Sequence, residues 1–254
     1  MIDAARKAGR KLSRDFGEVG ELQVSRKGPA DFVSAADTKA EQVLIEELAK
    51  VRPGYGFLAE ESGVIEGSDK THRWIIDPLD GTTNFLHAIP HFAISLALER
   101  EGEIVAGVVM NPITAETFWA ERGKGAFLNT EKRLRVAARR RLDDAVIATG
   151  VPILGKPGHG QSLKELHQVA QRVAGIRRFG SAALDLAYVA AGRFDGFWER
   201  DLKPWDMAAG ALLITEAGGK ITTVDGAPFT SASTTVLAAN LELHPLVLER
   251  LTAA

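Results

Sequence analysis

Asp77 and Asp80 stand three residues apart at the end of a short apolar run, Trp74-Ile75-Ile76, with Pro78 and Gly81 close behind and Thr82-Thr83-Asn84-Phe85 following. A short apolar run bounded by Pro and Gly reads as a buried strand, Trp74 to Ile76, that stops at Asp77 and enters a turn. Two carboxylates held a few ångströms apart repel unless a proton or a cation lies between them. A hard divalent cation such as Mg²⁺ takes oxygen ligands, and a turn lets two side chains and a backbone carbonyl converge on one. The same residues also suit a plain turn in which Asp77 and Asp80 accept bonds from local amides. Their spacing alone leaves both readings open.

Other acids stand at element ends. Asp37 follows Ser34 with the spacing of a capping box and precedes a helix expected over Thr38 to Val51, so it either caps that helix or orients a water beside its N-terminus. Glu60 and Glu61 follow Phe57-Leu58-Ala59; adjacent side chains of an extended segment point to opposite sides, so only one of the two should face any given site. Glu199 ends the apolar strand Gly196-Phe197-Trp198, and Asp206 is placed to start a helix over Met207 to Ala217, closed by Gly218 at C′, either as an N-cap or as a ligand. Phe179-Gly180-Ser181-Ala182-Ala183 opens a helix running to Ala191. Small residues there either allow close helix packing or leave amides for an anion or a hydroxyl. Gly123-Lys124-Gly125 lacks the remaining spacing of a phosphate loop and reads as a turn.

Two of these stretches together carry a resemblance. Trp74 to Phe85, and Trp205-Asp206-Met207-Ala208-Ala209-Gly210 running on to Glu216-Ala217-Gly218-Gly219, resemble in order and separation the two signatures of the inositol monophosphatase family. These are Mg²⁺-dependent, typically Li⁺-sensitive phosphomonoesterases, and the resemblance extends from about Lys27 to Asn240. It implies the layered α-β-α-β-α sandwich of the sugar phosphatases and a homodimer. It implies that Glu60, Asp77, Asp80 and Asp206, with the Leu79 carbonyl, hold two or three Mg²⁺, with Asp37 belonging to the same site. Asp37, Glu60 and Thr82 would act on the attacking water, and Asp80, Gly81, Thr82, Gly180, Ser181, Ala182, Glu199 and Asp206 would meet the substrate. The implied substrate is inositol 1-phosphate or a related small polyol or sugar phosphate. Fructose bisphosphate, a nucleotide 3′-phosphate and histidinol phosphate are the substrates of related enzymes with the same metal residues. Some bacterial members associate with the transcription machinery, which makes a binding role the alternative to catalysis. Ala59 replaces a Gly usual in the family, and Lys203-Pro204 stands where animal members often carry His and Cys, which points to the bacterial branch.

The elements that must position these residues are read from the rest of the chain. Apolar and small residues at Ile2, Ala5, Ala8, Leu12 and Phe16 mark a first amphipathic helix ending near Gly17 or Gly20. Phe92 to Leu98 and Ile104 to Met110 form one expected hairpin, Thr117 to Ala120 and Ala126 to Leu128 another. Ala145 to Thr149 reads as a strand, followed by a Gly/Pro-rich loop through Gly160, then a helix over Ser162 to Ala174 packing Leu163, Leu166, Val169 and Val173. Strands over Ile221 to Val224 and Thr235 to Ala239 and a helix from about Pro245 complete the chain. Hairpins early and strand–helix alternation later place a boundary near residue 140, giving halves 1–140 and 141–254 with the site between them. At 254 residues and 45% hydrophobic content the chain can bury a sizeable core. Without Cys there is neither a disulfide nor a thiolate site. No membrane-length apolar run and no secretory leader are present, so the expected compartment is the cytoplasm. A net charge of −2 argues against polyanion partners. The basic cluster Lys132, Arg133, Arg135, Arg139, Arg140 and Arg141 has no interleaved aromatic and is followed by Asp143 and Asp144, so it reads as a solvated connector rather than a nucleic-acid surface.

Overall fold

The structure, a computed structural model, describes residues 1–16, 24–28, 31–130, 132–152 and 158–254, with 24–28 and 31–34 described by their backbone. Helix α1 (Ile2–Phe16), the β1 (Val24–Gly28)/β2 (Asp31–Ser34) hairpin and α2 (Ala35–Val51) come first. Strands β3 (Gly56–Ala59), β4 (Gly63–Ile65), β5 (His72–Asp80), β6 (Ala93–Arg100), β7 (Glu103–Asn111), β8 (Glu116–Glu121), β9 (Gly125–Leu128) and β10 (Lys132–Arg133) build an eight-stranded sheet in the order β10-β9-β8-β7-β6-β5-β3-β4. Helix α3 (Thr82–Leu86) follows β5 directly.

A second, five-stranded sheet holds β11 (Val146–Thr149), β12 (Gly175–Arg177), β13 (Gly196–Arg200), β14 (Lys220–Thr222) and β15 (Thr235–Ala239) in the order β12-β11-β13-β15-β14. Its parallel strands β11, β12 and β13 are linked through α4 (His159–Ala170) and α5 (Ala182–Ala190), as parallel pairing requires. Helices α6 (Pro204–Glu216) and α7 (Leu243–Thr252) complete the set.

Strand alternation sorts the core into three bodies. In β5, Trp74 and Ile76 pack with Ala8, Leu12, Leu44 and Leu48 of α1 and α2. Ile75 points the other way, into a middle layer with Ala183 and Leu186 of α5, Leu213 of α6, and Phe197 of the second sheet. Trp198, one residue on, packs outward with Val169 of α4 and Val247 of α7. The order is α1/α2, large sheet, α5/α6, small sheet, α4/α7: the layered α-β-α-β-α sandwich. Among the described residues no helix is long and apolar enough to cross a membrane.

Both expected hairpins are present as β6/β7 and β8/β9. Several expectations are corrected. Helix α2 begins at Ala35, so Asp37 lies inside its first turn; the Ser34 side chain, its expected capping partner, falls outside the description. Strand β5 does not stop at Asp77 but runs through Pro78 to Asp80. Helix α4 ends at Ala170, and Leu163 is 46% exposed while Ser162 and Glu165 are buried in its place. Glu165 turns inward because Arg200 reaches its Oε1 at 2.8 Å through Nε and at 2.5 Å through Nη2. β12 follows directly after the stretch expected to be helical, where the sequence marks no element. The Gly/Pro-rich loop lies partly in 153–157, outside the description. In the basic connector, Arg141 pairs with Asp143 and Asp144, as the alternating charges suggest.

Candidate active site

In a regular strand, residues three apart point to opposite faces. Asp77 pairs with Ser95 and Asp80 with Ala93, so three steps along β5 match two along β6. This one-residue bulge resets the alternation and turns both carboxylates toward the same space; it also accommodates Pro78, which has no amide for the ladder. Gly81 then takes φ 97°, in the left-handed region. A Cβ there would lie 3.1 Å from the His91 carbonyl oxygen and 3.2 Å from that of Gly180, so glycine suits both the turn and the close passage of two chain segments.

Thr82 opens α3, and its hydroxyl lies 3.1 Å from Asp37 Oδ1 and 3.1 Å from the Leu79 carbonyl oxygen, two acceptors between which its single proton is shared. The hydroxyl is thus oriented by α2 on one side and by the β5 bulge on the other. From β3, Leu58 faces the middle layer and Ala59 the α1/α2 layer, so Glu60 follows Leu58 inward. Ala59 sits in β3, paired with Ile76, and is not among the residues of positive φ, so its Cβ is tolerated where the family usually carries Gly.

Asp206 is not the N-cap of its helix. Lys203 is the N-cap, Pro204 opens the first turn, and Asp206 at N3 accepts the Lys203 amide at 2.7 Å in a capping box. Gly218, at φ 83°, follows the C-cap as expected.

Burial pushes the Asp77 carboxyl well above its ordinary range, and Glu60, Asp80 and Asp206 push it further. Asp206 is raised by burial and then by Asp80, with Glu60 and Glu199 adding to it and the Lys203 amide opposing. Asp80 is raised to about 6, by burial; the Ser181 hydroxyl and the first amides of α5 hold it back. That effect is visible in the bonds: Ser181 Oγ donates to Asp80 Oδ2 at 2.6 Å and the Ala183 amide to the same oxygen at 2.8 Å. The α5 N-terminus therefore binds an anion, but the anion is a carboxylate of the opposite sheet. Gly180, Ser181 and Ala182 line this junction, and Gly180 takes φ 82° to enter it.

Glu199 follows the parity of Phe197 into the middle layer, one strand residue before the end of β13. Burial, then Asp80, raises it to about 8. Its carboxylate lies over Gly150, where a Cβ would fall 1.8 Å from Oε1. Gly150 was not anticipated, since nothing local marks it. Two further residues emerge only here. Asn84 Nδ2 donates to the carbonyls of His91 and Phe179, each at 2.7 Å, tying the bulge turn to the loop before α5. Asp185, 1% exposed, is raised by burial and then by Glu199 and Asp80; its position on the buried side of α5 had no sequence signal beyond its charge.

Glu60, Asp77, Asp80, Asp206 and Glu199 are thus brought into one electrostatic group, with Thr82 and Asp37 hydrogen-bonded at its edge. Burial and other carboxylates dominate Asp77 and Asp206, with no basic side chain among the main influences. One oxygen of Asp77 accepts the Leu79 amide at 2.9 Å, which turns the Leu79 peptide within the bulge. Among the described residues, no group of three or more acidic or imidazole side chains is arranged to hold a metal ion as the side chains stand. The donor set suits a hard divalent cation in its chemistry: all oxygen, with carboxyls that raise one another and no basic side chain among the main influences on Asp77 and Asp206.

The model of the inositol monophosphatase family matches residues 1–254. The chain is 70% identical to the inositol-1-monophosphatase of Caulobacter vibrioides, over 256 residues and the full length of both. It is 45% identical to the Nus factor SuhB of Escherichia coli K12, over 89% of this chain and 84% of that one. The crystal structure of the extragenic suppressor protein SuhB from Bartonella henselae superposes with a TM-score of 0.96 at 59% identity, covering 99% of this chain and 96% of that one. With both signatures folded around one buried carboxylate group, and likeness over the whole length, this chain belongs to the inositol monophosphatase family of phosphatases.

Proposed function

We propose that the chain is a Mg²⁺-dependent phosphomonoesterase that hydrolyses inositol 1-phosphate, or a closely related polyol or sugar phosphate, by in-line attack of water. The observation that carries this reading is the grouping of Glu60, Asp80 and Asp206 around buried Asp77, as carboxyls that raise one another, beside the Thr82–Asp37 hydroxyl–carboxylate bond. Glu60, Asp77, Asp80 and Asp206, with the Leu79 carbonyl, would hold two or three Mg²⁺. When bound, the metal supplies neutralisation of the phosphate charge, an acidified water and stabilisation of the leaving alkoxide.

The remaining work falls to the chain. With its one proton donated to Asp37, Thr82 Oγ1 presents lone pairs that accept a hydrogen bond from the attacking water, and as the water's proton passes to Oγ1 the Thr82 proton passes to Asp37. The Gly81 turn brings backbone close to the phosphate. Gly180, Ser181 and Ala182 border the substrate's polyol, and Glu199 accepts its hydroxyls. Residues 1–140 and 141–254 act in this reading as two halves of one catalytic unit, working in the cytoplasm as a homodimer.

The test is a screen of phosphate esters with Mg²⁺, with and without Li⁺. Turnover of inositol 1-phosphate that needs Mg²⁺ and falls at millimolar Li⁺ supports the reading; preference for fructose bisphosphate, a nucleotide 3′-phosphate or histidinol phosphate redirects it within the fold. The 45% identity to the E. coli Nus factor SuhB favours one second reading, association with the transcription machinery. A pull-down of transcription-machinery components from source lysate, with wild type and with a metal-site variant, separates that role from catalysis.

A further inference from the structure

Glu41 lies one helical turn after Asp37 in α2, so both carboxylates leave the same face of the helix. They are 1% and 2% exposed, Asp37 and Glu41 respectively, which for Glu41 requires partners. Asp37 serves Thr82. Glu41 serves the loop joining β3 to β4. Its Oε2 accepts the Glu61 amide at 2.8 Å, and its Oε1 accepts the Ser62 amide at 2.8 Å and the Ser62 hydroxyl at 2.5 Å. Bonds to an ionised acceptor are the strong kind.

The position of these bonds gives them their meaning. Residues 60–62 form a three-residue loop between Ala59 and Gly63, which face each other across the hairpin. β4 is the edge strand of the large sheet, so the loop has a neighbouring strand on one side only. On that side the Glu60 amide donates to the Ile76 carbonyl at 3.1 Å. On the other side, Glu41 takes the next two amides. Because the peptide unit is planar, fixing the Glu60 and Glu61 amides fixes the peptide planes on both sides of the Glu60 Cα, and with them the direction of its side chain. Helix α2 is thereby a bracket: at Asp37 it holds the hydroxyl that meets water, and at Glu41 it holds the backbone that aims Glu60.

We propose that Glu41 is a positioning residue for Glu60, setting the cation affinity of the site through the 60–62 loop without itself touching cation, water or substrate. This rests on the reading of Glu60 as a cation ligand. Supporting partners of metal ligands change affinity by about 10- to 100-fold when removed. Glu41→Gln keeps the side-chain shape but turns one acceptor into a donor facing a backbone amide, so at least one anchor is lost. Ser62→Ala removes the hydroxyl bond alone.

The experiment measures Mg²⁺ binding to the full chain by calorimetry without substrate, the Mg²⁺ dependence of turnover, and Tm in EDTA, for wild type, Glu41→Gln, Ser62→Ala and Glu60→Gln. Glu41→Gln should weaken Mg²⁺ binding by about tenfold, with kcat returning to within about threefold of wild type at saturating Mg²⁺. Ser62→Ala should show a smaller shift in the same direction. If Glu60→Gln weakens Mg²⁺ binding while Glu41→Gln and Ser62→Ala stay within twofold of wild type, Glu41 does not position the ligand. A lowered Tm in EDTA with unchanged Mg²⁺ affinity of the folded protein overturns the proposal in favour of a purely structural role. If Glu41→Gln fails to fold, an unmoved Mg²⁺ affinity in Ser62→Ala decides against it. Unchanged binding in Glu60→Gln overturns instead the assignment of Glu60 as ligand, and the proposal with it.

Discussion

In the proposed reading, Thr82 acts through its hydroxyl and Glu199 through its carboxylate, and each role can be separated from shape by substitution. The Thr82 hydroxyl is held between Asp37 and the Leu79 carbonyl, so the group that matters is Oγ1 rather than the methyl. Thr82→Ser should keep most of kcat, whereas Thr82→Val, matched in shape, should lose about a hundredfold or more, the usual scale of lost proton-transfer assistance. Equal rates at saturating Mg²⁺ would reduce Thr82 to turn structure. Glu199 lies within the group but is assigned to hydroxyls rather than phosphate. Above about pH 8, where Glu199 is ionised, Glu199→Gln should lower kcat/KM for inositol 1-phosphate by about ten- to hundredfold, from about 1.5–3 kcal/mol per charged hydrogen bond lost, with p-nitrophenyl phosphate barely affected. Gly150→Ala pushes a methyl onto the Glu199 carboxylate and should reproduce that selective loss. An equal fall for both esters would place Glu199 in the catalytic machinery or the fold.

At the scale of elements, the site is a junction between the β5 bulge and the start of α5. Asp80 is shared between them: the proposed function makes it a cation ligand, and it also accepts from the Ser181 hydroxyl and the Ala183 amide. Asn at this position can keep one acceptor for α5 while losing the charge. Asp80→Asn should therefore abolish nearly all turnover at saturating Mg²⁺ but leave α5 docked, with Tm in EDTA equal to or above wild type because like-charge repulsion is relieved. A large drop in Tm would mean that the ionised carboxylate is the dock for α5, and near wild-type turnover would remove Asp80 from the cation site.

The whole molecule carries a pH dependence separate from the site. His244, at the start of α7, is fully buried with Nε2 2.9 Å from Thr222 Oγ1. Burial, and to a lesser degree Lys220, lowers it to about 4. An unfolded His titrates near 6.5, so between those values the unfolded chain binds the extra proton. Stability from this group is complete above about pH 6.5 and falls as pH drops toward 4, by at most about 1.4 kcal/mol per unit. Burial lowers His91 to about 4 as well, so it titrates over the same window. Compared with wild type, His244→Gln should remove one downward component of stability between about pH 6.5 and 4, leaving the His91 share and, with opposite sign, that of the raised Asp80 and Glu199 carboxyls. An unchanged slope by denaturant titration would show that His244 is protonated alike in both states.

Much of this was legible along the chain. The apolar runs on either side of polar turns gave the hairpins and strand positions, Gly218 marked the end of α6, and the family resemblance singled out the candidate ligands among the acids at element ends. These features follow from short-range sterics, alternation and capping, which act within a few residues and so are written locally. The facing of those acids was not. Asp77 and Asp80 would diverge in a regular strand and share a space only because β5 carries one residue more than its partner β6. Asp37 reaches Thr82 across 45 positions and Ser181 reaches Asp80 across 101, through layers whose packing no local pattern specifies. Glu41 and Gly150 carry no motif at all; their roles appear when α2 meets the β3–β4 loop and when β13 lays Glu199 over the end of β11. Residue types set which chemistry was available, and strand register and layer packing decided which of those groups meet, because convergence depends on contacts far apart in sequence.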